Sequence, residues 1–176
     1  NTGFGGGFYG LNNYGRTPAN SGVYAEATTW ALDTWGEYLL AVSSTDGKLL
    51  EWQGNPNANA ATVANAPTGN KAMVVTEERF VFCLGAGGNP RKVAWSDKEN
   101  NTVWNATATN EAGDMELQTN GQIMCGVRMR GATLILTDTD AHVATYSGAP
   151  FVYGFQRVGT ACGVASRKGA VAIDEG

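Results

Sequence analysis

The sequence predicts an all-β fold, a partial β-propeller of antiparallel blades belonging to a larger, ring-forming chain. Two observations carry this. Runs of period-2 hydrophobic alternation are separated by Gly, Asn and Asp turns, and no window of twelve or more residues shows helical periodicity. The same two-part unit also recurs: a strand-like run, a polar turn, then a second run ending on an aromatic. It starts at Gly36, Arg79 and Gly131, and the segment from Gly169 looks like a fourth start. These starts lie 43, 52 and 38 residues apart (36, 79, 131, 169). Repeats of roughly 40–50 residues with several strands each belong to propeller-type arrays, whose units bury their faces on their neighbours.

The chain divides into two parts. Residues 1–29 mix Gly, Asn and small polar residues with Phe4, Phe8, Tyr9 and Tyr14. That composition favours neither helix nor strand, so an extended, ring-anchored arm is expected. Residues 30–176 are expected to hold about three blades plus the start of a fourth. Strands are expected near 37–42, 48–52, 72–76, 79–84, 92–95, 115–118, 123–128, 133–137, 142–146 and 170–173. Asp46-Gly47, the 87–90 turn, Asn120-Gly121 and Arg130-Gly131 read as turns, and Asn120-Gly121 as a hairpin. Residues 55–70, rich in Asn, Ala and Pro, read as a loop between blades. The chain begins at Asn1 and ends in a strand-like run, so it reads as an internal piece of a longer polypeptide.

Aromatics punctuate the repeat. Trp52 and Trp95 end equivalent runs, and Tyr146 takes that place in the third. Each large ring can bury roughly 150–250 Å². Trp52 and Trp95 are therefore expected to be buried at matching places between blades.

Composition narrows the function. Of 176 residues, 43% are hydrophobic and 16% charged, with a formal net charge of −4 and no run of Lys or Arg. An electrostatic grip on phosphate backbones is therefore not encoded. Cys83, Cys125 and Cys162 are odd in number and contain no CxxC pair, so neither a disulfide framework nor a zinc site is expected. No apolar stretch approaches the roughly 20 residues that cross a bilayer as a helix.

His142, the one histidine, sits in a strand-like HVATY with no nucleophile elbow to serve. Asp138 and Asp140 lack the Gly and late Glu of a calcium loop and read as turn residues between two strands of one blade. The Gly-rich GFGGGFYG lacks the Gly-Lys-Ser/Thr ending of a phosphate loop. Asn100-Asn101-Thr102 and Asn105-Ala106-Thr107 match the glycosylation pattern, which has meaning only in a secreted chain. The expectation is no catalytic residue, no metal and no cofactor.

Between residues 92 and 163 the series WSD-x-EN-x₃-W, ATATNEAGDMEL, LILTD, YSGAPFVYGFQ and GTACG appears in that order. With TWALDTWGEYLLAV and LLEWQGNP upstream, it resembles the β-propeller tail proteins of tailed bacteriophages. The nearest resemblance is to the tail nozzle (tail hub, packaged-DNA stabilisation) proteins of short-tailed phages. It spans residues 28–170.

The resemblance implies a non-catalytic structural virion protein that helps retain the genome and eject it. It implies a homo-oligomeric ring, commonly sixfold, beside the tail adaptor and the tail fibre or needle proteins. DNA would pass through the lumen without specific binding. The protein would reside in the virion tail and, during assembly, in the host cytoplasm.

The alternative is a propeller-type module that binds a receptor or glycan. A propeller glycoside hydrolase ranks behind both, because no positioned carboxylate pair is evident. Residues 147–156 read as an aromatic, uncharged loop between blades. Phe151, Tyr153 and Phe155 are the candidate contacts to a neighbouring subunit or blade.

Overall fold

A computed structural model describes residues 28–173, and the expected arm lies almost wholly outside them. Twelve strands form three four-stranded antiparallel sheets, each a meander of consecutive strands. The first sheet holds β1 (Trp30–Trp35), β2 (Tyr38–Ser43), β3 (Leu49–Trp52) and β4 (Ala61–Thr62). The second holds β5 (Ala72–Val75), β6 (Val81–Leu84), β7 (Lys92–Trp95) and β8 (Gly113–Glu116). The third holds β9 (Ile123–Met129), β10 (Ala132–Thr137), β11 (Asp140–Gly148) and β12 (Val152–Thr160). The one helical element among the described residues is a 3₁₀ turn at Ala86–Gly88.

Strand alternation puts the hydrophobic face of each sheet against the next. Leu40, Val42 and Leu49 of the first sheet meet Met73, Val75, Val81 and Cys83 of the second. The opposite face of the second sheet, with Val74, Phe82, Leu84, Val93 and Trp95, meets Ile135, Ala144, Val152 and Tyr153 of the third. The sheets approach most closely along their first strands. There β1 lies beside β5 and β5 beside β9, while the fourth strands make no contact of that extent. The stack therefore fans out from one edge.

The strand registers make the repeat explicit. On the forward face of each sheet, the one directed along the stack, Asp33, Leu40 and Glu51 sit in one cross-strand row. Val74, Phe82 and Trp95 form the matching row of the second sheet. Val127, Leu134 and Val143 form that of the third. The spacing of Leu40, Phe82 and Leu134 is 42 and then 52 residues (40, 82, 134). The expected first period of 43 is thus one residue too long. The cause is turn length. A two-residue turn follows Trp35, which pairs with Tyr38, whereas Val75 pairs with Val81 across a five-residue turn (76–80).

That single residue decides the fate of Trp52. Side chains alternate faces with period 2, so a slip of one moves a residue to the other side of its sheet. Glu51, not Trp52, is the counterpart of Trp95. Trp52 points off the backward face of the first sheet and is 36% exposed, against 6% for Trp95. The expectation that both are buried at matching places is corrected for Trp52. Tyr146 lies three residues beyond Val143, the third-sheet counterpart, and packs back toward the second sheet.

Other expectations also change. Asn120-Gly121 makes no hairpin; it joins the last strand of the second sheet to the first of the third. Thr119 Oγ1 accepts from the Gly121 amide and Asp138 Oδ1 from the Gln122 amide, which holds the linker in place. Within 55–70, read as a loop, residues 61–62 form the short edge strand β4, paired with Leu50 and Glu51. Residues 147–156, also read as a loop, contain the end of β11 and the start of β12. Residues 170–173 form no strand, and Val171 and Ile173 are 80% and 81% exposed. A strand needs a neighbour to pair its backbone, and no strand among the described residues pairs with this segment.

Two glycines are required by close approach. A Cβ at Gly113, opposite Trp95, would stand 2.6 Å from the indole, so only glycine leaves the ring its place. A Cβ at Gly126 would stand 2.7 Å from Val74 and 2.9 Å from Leu84, where β9 presses on the second sheet.

Candidate functional site

Three regions present features beyond plain core packing. The first is the aromatic seam between the second and third sheets. Phe82 and Tyr153 meet edge to face at 4.7 Å and Phe80 and Tyr153 at 5.2 Å, while Trp95 and Phe155 lie tilted at 5.7 Å. Such arrangements contribute roughly 0.5–1.5 kcal/mol per pair beyond burial. The rim ties each polar end. The Tyr153 hydroxyl donates to Glu78 Oε2 at 3.1 Å and shares a hydrogen bond with Thr76 Oγ1 at 3.0 Å. Tyr146 donates to the Glu111 carboxylate, and the Trp95 indole N–H donates to the Glu111 carbonyl. Burial, helped by the neighbouring carboxylates, raises the pKa of Tyr146 and Tyr153, so both stay protonated donors.

The residues singled out in the sequence fall here, with different roles. Tyr153 is buried, Phe155 is partly buried against the same cluster, and Phe151 is 81% exposed on the β11–β12 turn. Tyr153 and Phe155 lie between two sheets of this chain, and Phe151 is the one ring of the three directed outward.

The second region is the backward face of the first sheet. Trp30 (45% exposed), Leu32 (58%) and Trp52 line it with the half-buried Leu39, Ala41 and Leu50. Cross-strand pairing sets Leu32, Ala41 and Leu50 in one row and Leu39 and Trp52 in the next. The same side of the second and third sheets is covered by the preceding sheet. This face is an apolar surface without a cover among the described residues. The forward face of the third sheet differs, since Cys125, Leu136 and Ala141 are covered by Val164 and Ala170 of the segment after β12.

The third region is a cavity of about 140 Å³ where the three first strands converge. Trp30, Lys71, Cys125, Gly126, Arg167 and Lys168 are among its walls. Lys71 Nζ donates to the Ser44 carbonyl at 3.1 Å, and Arg167 Nη1 donates to the Ile123 carbonyl at 3.2 Å. Burial raises the Cys125 thiol pKa and the Arg167 charge partly opposes it.

The other chemistry-bearing residues lie in the third sheet and its turns. His142 lies on β11 and is 3% exposed. Burial lowers its pKa, opposed by Asp140 and reinforced by Arg157, which favours the neutral ring. Asp140 Oδ2 accepts from Thr119 Oγ1 at 2.8 Å and Asp138 Oδ1 from the Gln122 amide at 2.9 Å, so both carboxylates tie the start of β11 and its turn to the linker before β9. Among the described residues no group of three His, Cys, Asp or Glu is placed to hold a metal. No helix there is long and apolar enough to cross a membrane. Sequence reasoning missed the uncovered face and the cavity. The face was hidden by the one-residue slip, and the cavity by the distance in sequence between Trp30, Lys71 and Arg167. No protein-family profile matches the chain, and no curated protein matches it.

Proposed function

We propose that this chain is a segment of a β-propeller in the tail conduit of a short-tailed bacteriophage, with a structural and non-catalytic role. One observation carries the reading. Three sheets repeat the same forward-face rows, fan out from their first strands, and leave an apolar backward face at the start of the stack. A blade array buries each face on the next unit, so an uncovered face asks for another sheet. The ordered series from Trp95 to Gly163 adds the resemblance to tail nozzle proteins. The partners it implies are further copies in a ring, commonly sixfold, with the adaptor on one side and the fibre or needle on the other.

The second reading is a tail module that binds a receptor or glycan. It is favoured by the exposed rings of Phe151, Trp30 and Trp52, since aromatic faces stack on sugars. Virions assembled with Phe151→Ser separate the two. The conduit reading expects particles that package DNA and then leak it, or that fail to assemble. Particles that keep their genome but no longer adsorb to cells would replace it with the receptor reading. Phe155→Ser is a poor probe, because Phe155 packs inside the chain.

A further inference from the structure

Each internal seam joins the forward face of one sheet to the backward face of the next. The two ends of the stack hold one face of each kind that the described residues do not pair. At the start, Leu32, Leu39, Ala41 and Leu50 stand where the second sheet has Met73, Val81, Cys83 and Ala94, each one residue from the matched rows. Those four of the second sheet are buried beneath the first, whereas Leu32 is exposed and Leu39, Ala41 and Leu50 are half-buried.

At the other end, Leu134 is the third-sheet counterpart of Leu40 and Phe82. Those two are fully buried by the sheet that follows, while Leu134 is half-buried with Val127 and Val143 beside it in the row. Met129 and Ala132, the next pair toward the β9–β10 turn, are half-buried too. Val164 and Ala170 pack on this face at Cys125, Leu136 and Ala141, and Leu134 borders that cluster. The residues named on the two end faces are apolar and none is charged. Joining them desolvates no ion and removes apolar area from water.

We propose that the backward face of the first sheet is covered by the forward face of the third sheet of a second copy of this chain. The proposal rests on the reading that the stack continues past its first sheet, and it names the surface that continues it. The contact is head-to-tail: each copy offers its forward face to one neighbour and its backward face to another. It repeats the two seams already inside the chain, where a forward row meets a backward one. A contact between two different patches passes on from copy to copy, whereas one patch paired with itself stops at two.

Mixing two single-face variants tests it. Light scattering coupled to gel filtration is run on the parent chain, on Leu32→Glu, on Leu134→Glu and on an equimolar mixture of the two variants. Each substitution puts an unpaired carboxylate into an apolar seam, where its burial is costly. Each variant alone is expected to associate at least tenfold more weakly than the parent and to run as a monomer. The mixture is expected to give a 1:1 dimer, because Leu134→Glu keeps its backward face and Leu32→Glu its forward face. That dimer grows no further, since both of its outer ends carry the new carboxylate. If Leu134→Glu loses its circular dichroism, Val127→Glu in the same row takes its place. One result overturns this proposal and spares the continuing stack: Leu32→Glu is monomeric, but the folded forward-face variant assembles like the parent. The backward face then has another occupant, such as a second backward face. A mixture that stays monomeric at concentrations where the parent associates overturns it as well. A parent chain that is itself monomeric removes the continuing stack, and this proposal with it.

Discussion

The two seams of the stack are built from different materials. Between the first and second sheets the contact is mostly aliphatic: Leu40, Val42, Leu49, Val63, Met73, Val75 and Val81, with Trp35 and Trp104 as its two large rings. Between the second and third, six rings, Phe80, Phe82, Trp95, Tyr146, Tyr153 and Phe155, join aliphatic residues such as Val74, Leu84, Val93, Ile135 and Val152. The polar ties differ accordingly. The aliphatic seam is pinned by backbone partners, with Asp33 Oδ2 accepting from the Val75 amide at 2.8 Å and Lys71 donating to Ser44. The aromatic seam is pinned by its own hydroxyls and indole, which reach Thr76, Glu78 and Glu111. Aliphatic side chains have no polar end, so a seam made of them needs separate groups to set register. Rings such as Tyr and Trp do both tasks at once.

The comparison breaks most clearly at Trp95. Trp95→Ala removes a ring held by Phe82, Tyr153 and Phe155 and leaves the Glu111 carbonyl without its donor. The expected loss is about 3–5 kcal/mol in urea unfolding. A loss below about 1 kcal/mol would show that the ring cluster does not hold this seam.

Tyr153→Phe sharpens the comparison by keeping the ring and deleting the hydroxyl. The Thr76 hydroxyl is buried and loses a partner, so a cost of about 1–2 kcal/mol is expected from the same measurement. No change would mean that ring packing alone sets this seam.

Trp52→Ala should have the smallest effect, no more than about 1 kcal/mol on the isolated chain, because its ring lies on the uncovered face. A loss matching that of Trp95→Ala would place Trp52 in a seam and undo the one-residue correction.

Much of the architecture was legible because period-2 alternation and turn chemistry are local. Most strands fall where the pattern places them, with ends shifted by one or two residues, and Gly131 marks a two-residue turn between Met129 and Ala132. What failed was non-local. The face of Trp52 depends on the register between units, which one residue of turn length reverses. Asn120-Gly121 has hairpin chemistry, yet the strands it joins belong to different sheets. β12 was hidden because its Gly and aromatic residues read as a loop, and its pairing with β11 is interrupted by two register shifts. Of the rings proposed as contacts, Tyr153 and Phe155 are used within the chain, and only the fold distinguishes them from Phe151.

The central claim is that the stack continues, with the backward face of the first sheet as its next seam. Light scattering coupled to gel filtration tests it most directly on the unaltered chain and on Leu32→Glu, which puts a charge on that face at a position 58% exposed. The account predicts that the former associates with further copies through that face. It predicts a monomer with unchanged circular dichroism for the latter. A monomeric parent chain, or a Leu32→Glu chain that assembles like its parent, would contradict it.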